Sequence, residues 1–149
     1  MVGLLDLRGW ETILEPSAGK GALINAIHDR YVYIKIVAYE LNVDNFCELH
    51  RNYGSFDRVV LHKSDFLRSQ DDEFDRVVMN PPVKSSLRHV EHAMSMVVPG
   101  GRLVALLHSH VAKEIKNTHG AREYRIAGGT FSIDNQEVDA SLIVWDKDA

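Results

Sequence analysis

The sequence predicts an alternating α/β chain: a mostly parallel twisted sheet with helices on both faces and an antiparallel hairpin near its C-terminal end. Three observations carry this. Short apolar runs alternate with stretches of helical period, the pattern of βαβ units. Prolines and glycines fall at the joins, at Pro16, Pro81-Pro82 and Pro99-Gly100-Gly101. The 149 residues are 45% hydrophobic, enough to close one core, so residues 1–149 are expected to form a single domain.

The elements follow in order. Residues 12–15 read as a short strand ending at Pro16, and residues 21–29, apolar at Ala22, Leu23, Ala26 and Ile27, as a helix. A second strand is expected at 34–40, a helix near 43–52, a third strand at 58–61 and a fourth at 74–79, stopped by Pro81-Pro82. Residues 87–98 have helical period, with Pro99-Gly100-Gly101 as the terminator, and 102–108 form the fifth strand. A short helix is expected at 111–118 and a break at Gly128-Gly129. Residues 130–133 and 138–146 then read as a closing hairpin around Asp134-Asn135.

Composition excludes several function classes. Cys47 is the one cysteine, so no intramolecular disulfide forms; it is expected to be a core residue on a helix, and it argues against cysteine-dependent carbon methylation. A reducing, cytoplasmic setting fits this usage. The first ten residues carry Asp6 and Arg8 inside their apolar stretch, unlike a secretory signal, and no run approaches the length of a membrane span. His89 with His92, and His108 with His110, lack a carboxylate or cysteine to complete a ligand set, so no metal is assigned; the helical pair is expected at the surface or rim.

The net charge of −4 argues against a chain-wide basic surface. Residues 84–125 nevertheless hold seven basic residues against three acidic ones. This segment is the expected docking face if the partner is a nucleic acid.

Glu15-Pro16-Ser17-Ala18-Gly19-Lys20-Gly21 lies between a predicted strand and helix, where glycines let the backbone turn tightly and approach a ligand. Glu40 ends the next strand 19 residues after Gly21, close to the spacing of a ribose-binding carboxylate. A nicotinamide dinucleotide is the natural rival. Against it, Ile24 stands where the dinucleotide fingerprint has its third glycine. Glu15 would also repel a pyrophosphate and attract an ammonium or sulfonium, the two cations of S-adenosylmethionine (SAM).

With these stretches, and with Tyr39-Glu40-Leu41-Asn42, Ser64-Asp65-Phe66-Leu67 and Phe74-Asp75-Arg76-Val77-Val78-Met79-Asn80-Pro81-Pro82, the chain resembles a class I SAM-dependent methyltransferase. The branch it is similar to carries an Asn-Pro-Pro-aromatic motif and includes adenine-N6 enzymes. The resemblance covers about residues 10–108 and implies a Rossmann-like fold and SAM as cofactor. It implies that Glu15, Pro16, Ser17, Ala18, Gly19 and Gly21 line the methionine and ribose side. Glu40 and Leu41 would hold the ribose, Asp65 would accept from the adenine amino group, Phe66 would pack on the adenine, and Asn80 would border the cofactor.

The chemistry of Asn80-Pro81-Pro82 can be argued from its atoms. An aromatic or amide amino group is a poor nucleophile because its lone pair is delocalised. The Asn80 side-chain oxygen and the Pro81 carbonyl can each accept one of its N–H bonds and favour a tetrahedral, nucleophilic nitrogen. The two prolines fix φ and keep that carbonyl aimed. Val83 stands where the family has a stacking aromatic, so Val83 and Lys84 are the expected substrate contacts, the valine with a less specific planar face.

The expected function is SAM-dependent methylation of an exocyclic or amide nitrogen, first of all adenine N6 in single-stranded or flipped-out nucleic acid. A protein glutamine, guanine N2 or a small-molecule amine are alternative acceptors. The rival from another class is a non-catalytic module of the same fold. A homodimer or a partner subunit is the expected source of target recognition, with no membrane role.

Overall fold

A computed structural model describes residues 1–70, 73–126, 132–133, 136–137 and 139–149. Its elements are β1 (Thr12–Glu15), α1 (Ala22–His28), β2 (Lys35–Tyr39), α2 (Val43–Tyr53), β3 (Val59–His62), β4 (Phe74–Met79), α3 (Ser86–Ser95), β5 (Val97–His108), α4 (Ser109–His119), β6 (Arg122–Arg125), β7 (Ser132–Ile133), β8 (Gln136–Glu137) and β9 (Ala140–Asp146). One seven-stranded sheet runs in the order β3-β2-β1-β4-β5-β9-β6. The first five strands pair in parallel, and β9 lies antiparallel between β5 and β6.

Strands covered on both faces need apolar side chains at successive positions, which is why β1, β2 and β4 each carry a continuous apolar stretch, at Ile13-Leu14, Ile36 to Tyr39 and Val77 to Met79. Their side chains alternate between two cores. Ile13, Ile36, Ala38, Val78 and Val104 face Ile24 and Ile27 of α1 and Leu49 of α2. Leu14, Val37, Val77, Leu103 and Ile143 face Val90 and Met94 of α3 and Val111 and Ile115 of α4. Helices thus cover both faces, as the sequence predicts.

α2 begins where the Asn42 side chain accepts a hydrogen bond from the Asn45 amide at 3.0 Å, with Asp44 in the first turn and His50 and Arg51 in the last. Cap and charges both complement the helix ends. The lead before β1 is a 3-10 turn, Val2–Leu5, whose Leu5 is fully buried. Arg76 and Arg102 donate to the carbonyls of Leu5 and Leu4 at 2.8 and 3.1 Å, fastening the lead across β4 and β5.

Four expectations need correction. Pro99-Gly100-Gly101 does not terminate a helix; it lies inside β5, while α3 stops at Ser95. The register jumps from Phe74↔Val97 to Arg76↔Arg102, so these residues form a bulge. The bulge needs glycine at 101, where a Cβ would sit 2.6 Å from Val97 Cγ1 and 2.9 Å from the Asp75 carbonyl. Second, β9 pairs with β5 and with β6, a strand that sequence reading missed; of its expected partner, the described Ser132–Ile133 pair with β8 instead. A small hairpin does form between β7 and β8, but Asp134-Asn135 and Gly128-Gly129 lie outside the described residues. Third, Cys47 is exposed, because α2 buries Leu49 and turns Cys47 outward. Fourth, of the histidine pair expected at the surface or rim, His89 is only 7% exposed and His92 is half-buried. Among the described residues, no helix is long and apolar enough to cross a membrane.

Candidate functional site

The sheet grows outward from β1 in one direction through β2 and β3, and in the other through β4 and β5. Crossovers on either side of β1 therefore part company there, leaving a crevice beyond the carboxyl ends of the strands, where open α/β sheets bind ligands.

The turn after β1 is tied down from both sides. The Ala18 amide donates to the Tyr39 carbonyl and the Gly21 amide to the Ala18 carbonyl, both at 2.9 Å. Gly19 and Gly21 have φ of +56° and +90°, in the left-handed region that favours glycine. Glu40 then joins two loops: one carboxylate oxygen accepts from the Gly19 amide and the other from the Asn42 amide, each at 2.7 Å. The residue expected at a ribose is thus also the clamp between the β1 and β2 turns.

Glu15 is 2% exposed, and its Oε2 has no hydrogen-bond partner among the described residues; the Ser17 Oγ is likewise buried and unpartnered among them. Burial, and secondarily the negative charge of Glu40, push the Glu15 carboxyl well above the usual carboxylate range. Asp65 caps the 3-10 turn Phe66–Arg68, its Oδ1 accepting from the Leu67 amide at 3.0 Å. Phe66 is buried in edge contact with Tyr39, the centroids 5.5 Å apart.

These segments enclose a cleft of about 350 Å³. Of the residues singled out in the sequence, Pro16, Ser17, Glu40, Leu41, Asp65, Phe66 and Pro82 line it. Glu15, Ala18, Gly19 and Gly21 are not in the lining; Glu15 is buried at the end of β1 and the others shape the turn. Asn80, Val83 and Lys84 also lie outside the lining and are exposed, on either side of buried Pro81 and cleft-lining Pro82. The Asn80 side chain makes no hydrogen bond among the described residues and is free to accept one.

Tyr39, Ser64, Leu67, Ser85 and His89, none of them assigned to the site from the sequence, also line the cleft. Ser64 and Leu67 flank the singled-out Asp65-Phe66. Ser85 and His89 lie one helical turn apart, a spacing that signals a shared face. An adjoining hollow of about 580 Å³ shares Tyr39, Leu41, Ser64 and Asp65 and adds His62, Arg68 and Ser69.

The donor set fits a cationic adenosine derivative. Two carboxylates, Glu15 and Glu40, converge on the glycine turn, and one has an oxygen without a partner. No lysine or arginine lines the 350 Å³ cleft among the described residues. Glu40 and Asp65 line it, so a pyrophosphate would face carboxylates there.

No family model matches the sequence, and neither does any curated protein. Solved structures do match. N-methyltransferase NodS from Bradyrhizobium japonicum superposes with a TM-score of 0.74 at 13% identity, over 99% of this chain and 92% of that one. A SAM-dependent O-methyltransferase from Thermotoga maritima gives 0.76 at 16%, over 99% and 63%. A dimethyladenosine transferase from Plasmodium falciparum gives 0.74 at 14%, over 98% and 59%. The chain has the SAM-dependent methyltransferase fold. It spans most of NodS but under two thirds of the other two proteins. In this methyltransferase fold the cleft occupies the topological switch point beside β1, and Asn80-Pro81-Pro82 follows the neighbouring strand β4.

Proposed function

We propose that the chain binds SAM in the 350 Å³ cleft and methylates an amino nitrogen held by Asn80 and Pro81, with adenine N6 of nucleic acid as the first acceptor. The observation that carries the reading is the placement of Asn80: exposed at the end of β4, with no hydrogen bond on its side chain among the described residues, two residues from cleft-lining Pro82.

SAM supplies an electrophilic methyl group whose carbon–sulfur bond breaks as the new carbon–nitrogen bond forms. The chain supplies the rest. With SAM bound, Glu40, and Glu15 once deprotonated, would offer negative charge to the cationic end, Glu40 and Leu41 would hold the ribose, and Asp65 and Phe66 would hold the adenine. The Asn80 oxygen and the Pro81 carbonyl accept the two N–H bonds of the incoming amino group and fix its lone pair toward the cleft. One amino proton then passes to solvent.

An N-methyltransferase and a dimethyladenosine transferase stand among the similar structures, which agrees with a nitrogen acceptor in nucleic acid. An O-methyltransferase stands there too, so the fold leaves the acceptor atom open and Asn80 is the residue that favours nitrogen. The test compares wild type with Asn80→Ala, measuring SAM affinity by calorimetry and methyl transfer from labelled SAM to single-stranded adenine-containing DNA and RNA, a glutamine peptide and free amines. The expected result is transfer to an adenine-containing strand in wild type, a loss of at least 100-fold in the variant, and SAM affinity unchanged within about threefold. Retained transfer in Asn80→Ala overturns the role of that residue, and an active peptide arm moves the acceptor to protein.

A further inference from the structure

His89 stands in the first turn of α3, one turn after Ser85, and both line the cleft. Its Nδ1 lies 2.9 Å from the Ser85 carbonyl oxygen. A carbonyl oxygen only accepts, so the proton of this hydrogen bond sits on Nδ1. In the neutral ring Nε2 is then a bare acceptor. That atom has no partner among the described residues and is not sealed in the protein interior, although the whole residue is only 7% exposed. The ring packs 5.9 Å from Phe66, centroid to centroid, and Asp65, the residue before Phe66, lines the same cleft. The α3 segment and the turn after β3 thus both reach the cleft, where the Asp65 carboxylate, with Oδ1 accepting from the Leu67 amide at 3.0 Å and Oδ2 3.8 Å from Arg68 Nε, keeps further lone pairs to accept with, as His89 does at Nε2. Asn80, which would hold the methyl acceptor, is outside this lining, so the His89 acceptor belongs to the part of the cleft that receives the cofactor.

We propose that His89, locked by the Ser85 carbonyl with Nε2 as acceptor, works with Asp65 to select a 6-aminopurine over a 6-oxopurine in the cofactor. This inference rests on the SAM reading above. An exocyclic amino group has two N–H bonds and satisfies two acceptors; a 6-oxo group has none and would set its oxygen against both. Sites built to pair a polar group discriminate strongly, because the mismatched ligand leaves their own buried groups unpaired. His89 is therefore a specificity residue for the cofactor and takes no part in moving the methyl group.

Calorimetry at pH 8 with S-adenosylhomocysteine and S-inosylhomocysteine tests it on wild type, His89→Phe and His89→Gln. The first variant keeps the ring packing against Phe66 and removes the acceptor; the second keeps an acceptor oxygen. Wild type is expected to prefer the adenosyl compound by at least 100-fold. His89→Phe should bind it about tenfold more weakly and lose most of the preference, with His89→Gln recovering part of both. Nitrogen-15 spectra of wild type give a second readout independent of folding in the variants: His89 should carry its proton on Nδ1, and its Nε2 resonance should move when S-adenosylhomocysteine is added. Affinity in His89→Phe within twofold of wild type with the preference intact, or a ring protonated on Nε2, overturns the assignment while leaving SAM binding standing. Wild type that binds neither nucleoside removes the SAM reading and this one with it.

Discussion

Glu15 places a carboxyl at the buried end of β1 with one oxygen unpartnered, and burial raises its pKa well above that of the unfolded chain. The folded state therefore holds this proton more tightly than the unfolded one. Its contribution to stability is fully present below the ordinary glutamate range and is lost as pH rises through the raised folded value. Glu15→Gln imitates the protonated form, so it should be more stable than wild type at pH 8, by roughly 1–3 kcal/mol, with the gap closing toward pH 4. Thermal unfolding across that range reads this directly; a gap that stays constant or widens on acidification would show that the charge of Glu15 is not the cause. On the proposed reading the same variant should also bind SAM more weakly at pH 8, because a glutamine can never present the charge that the Glu15 carboxyl offers a cationic ligand once deprotonated. Glu15 was legible in the sequence as an acidic strand end. Its burial was not, since burial depends on Pro16, the strands beside β1 and the turn that closes over it.

Among the elements, the join of β1 to α1 depends most on one residue. Gly21 holds φ at +90°, and a Cβ there would lie 2.6 Å from Cε2 of Tyr53 and 2.9 Å from Cδ1 of Leu49, both on α2. Gly21→Ala combines a strained backbone with overpacking and should cost about 2–4 kcal/mol, measured by urea unfolding; a cost below about 0.5 kcal/mol would mean that α2 moves aside freely. The apolar runs of β1, β2 and β4 and the helical periods of α1, α2 and α3 were readable because each is buried against the sheet or its helices. β6 was not, because Arg122-Glu123-Tyr124-Arg125 is an edge strand, mostly exposed, and carries no apolar alternation. The bulge at Pro99-Gly100-Gly101 misled for a related reason: the dipeptide Pro-Gly ends helices and also fits a bulge, and only the pairing of Val97 with Phe74 decides between them.

Across the whole molecule, the basic stretch 84–125 does not form one face. Arg102 and Arg122 both pair with Asp146 at the end of β9 far from the cleft, and Lys116 and Arg125 pair with Glu123. Lys84 and Arg88, exposed beside Pro82 and His89, have no ion pair among the described residues and are the cations of this stretch nearest the cleft in sequence. If nucleic acid docks there, reversing both charges should weaken binding of a labelled single-stranded oligonucleotide about tenfold at low salt and lower the salt dependence, read by fluorescence anisotropy. Equal affinity in the double variant would remove that docking face. By itself the sequence determined the alternation of strands and helices, the glycine turn, and the order of Glu15, Glu40, Asp65 and Asn80, because these follow from local periodicity and chemistry. Only the tertiary structure decided that β9 lies between β5 and β6, that Glu40 clamps two loops, and that His89 faces the cleft beside Phe66. Those contacts join segments far apart in the chain, and no local pattern records which of them will meet.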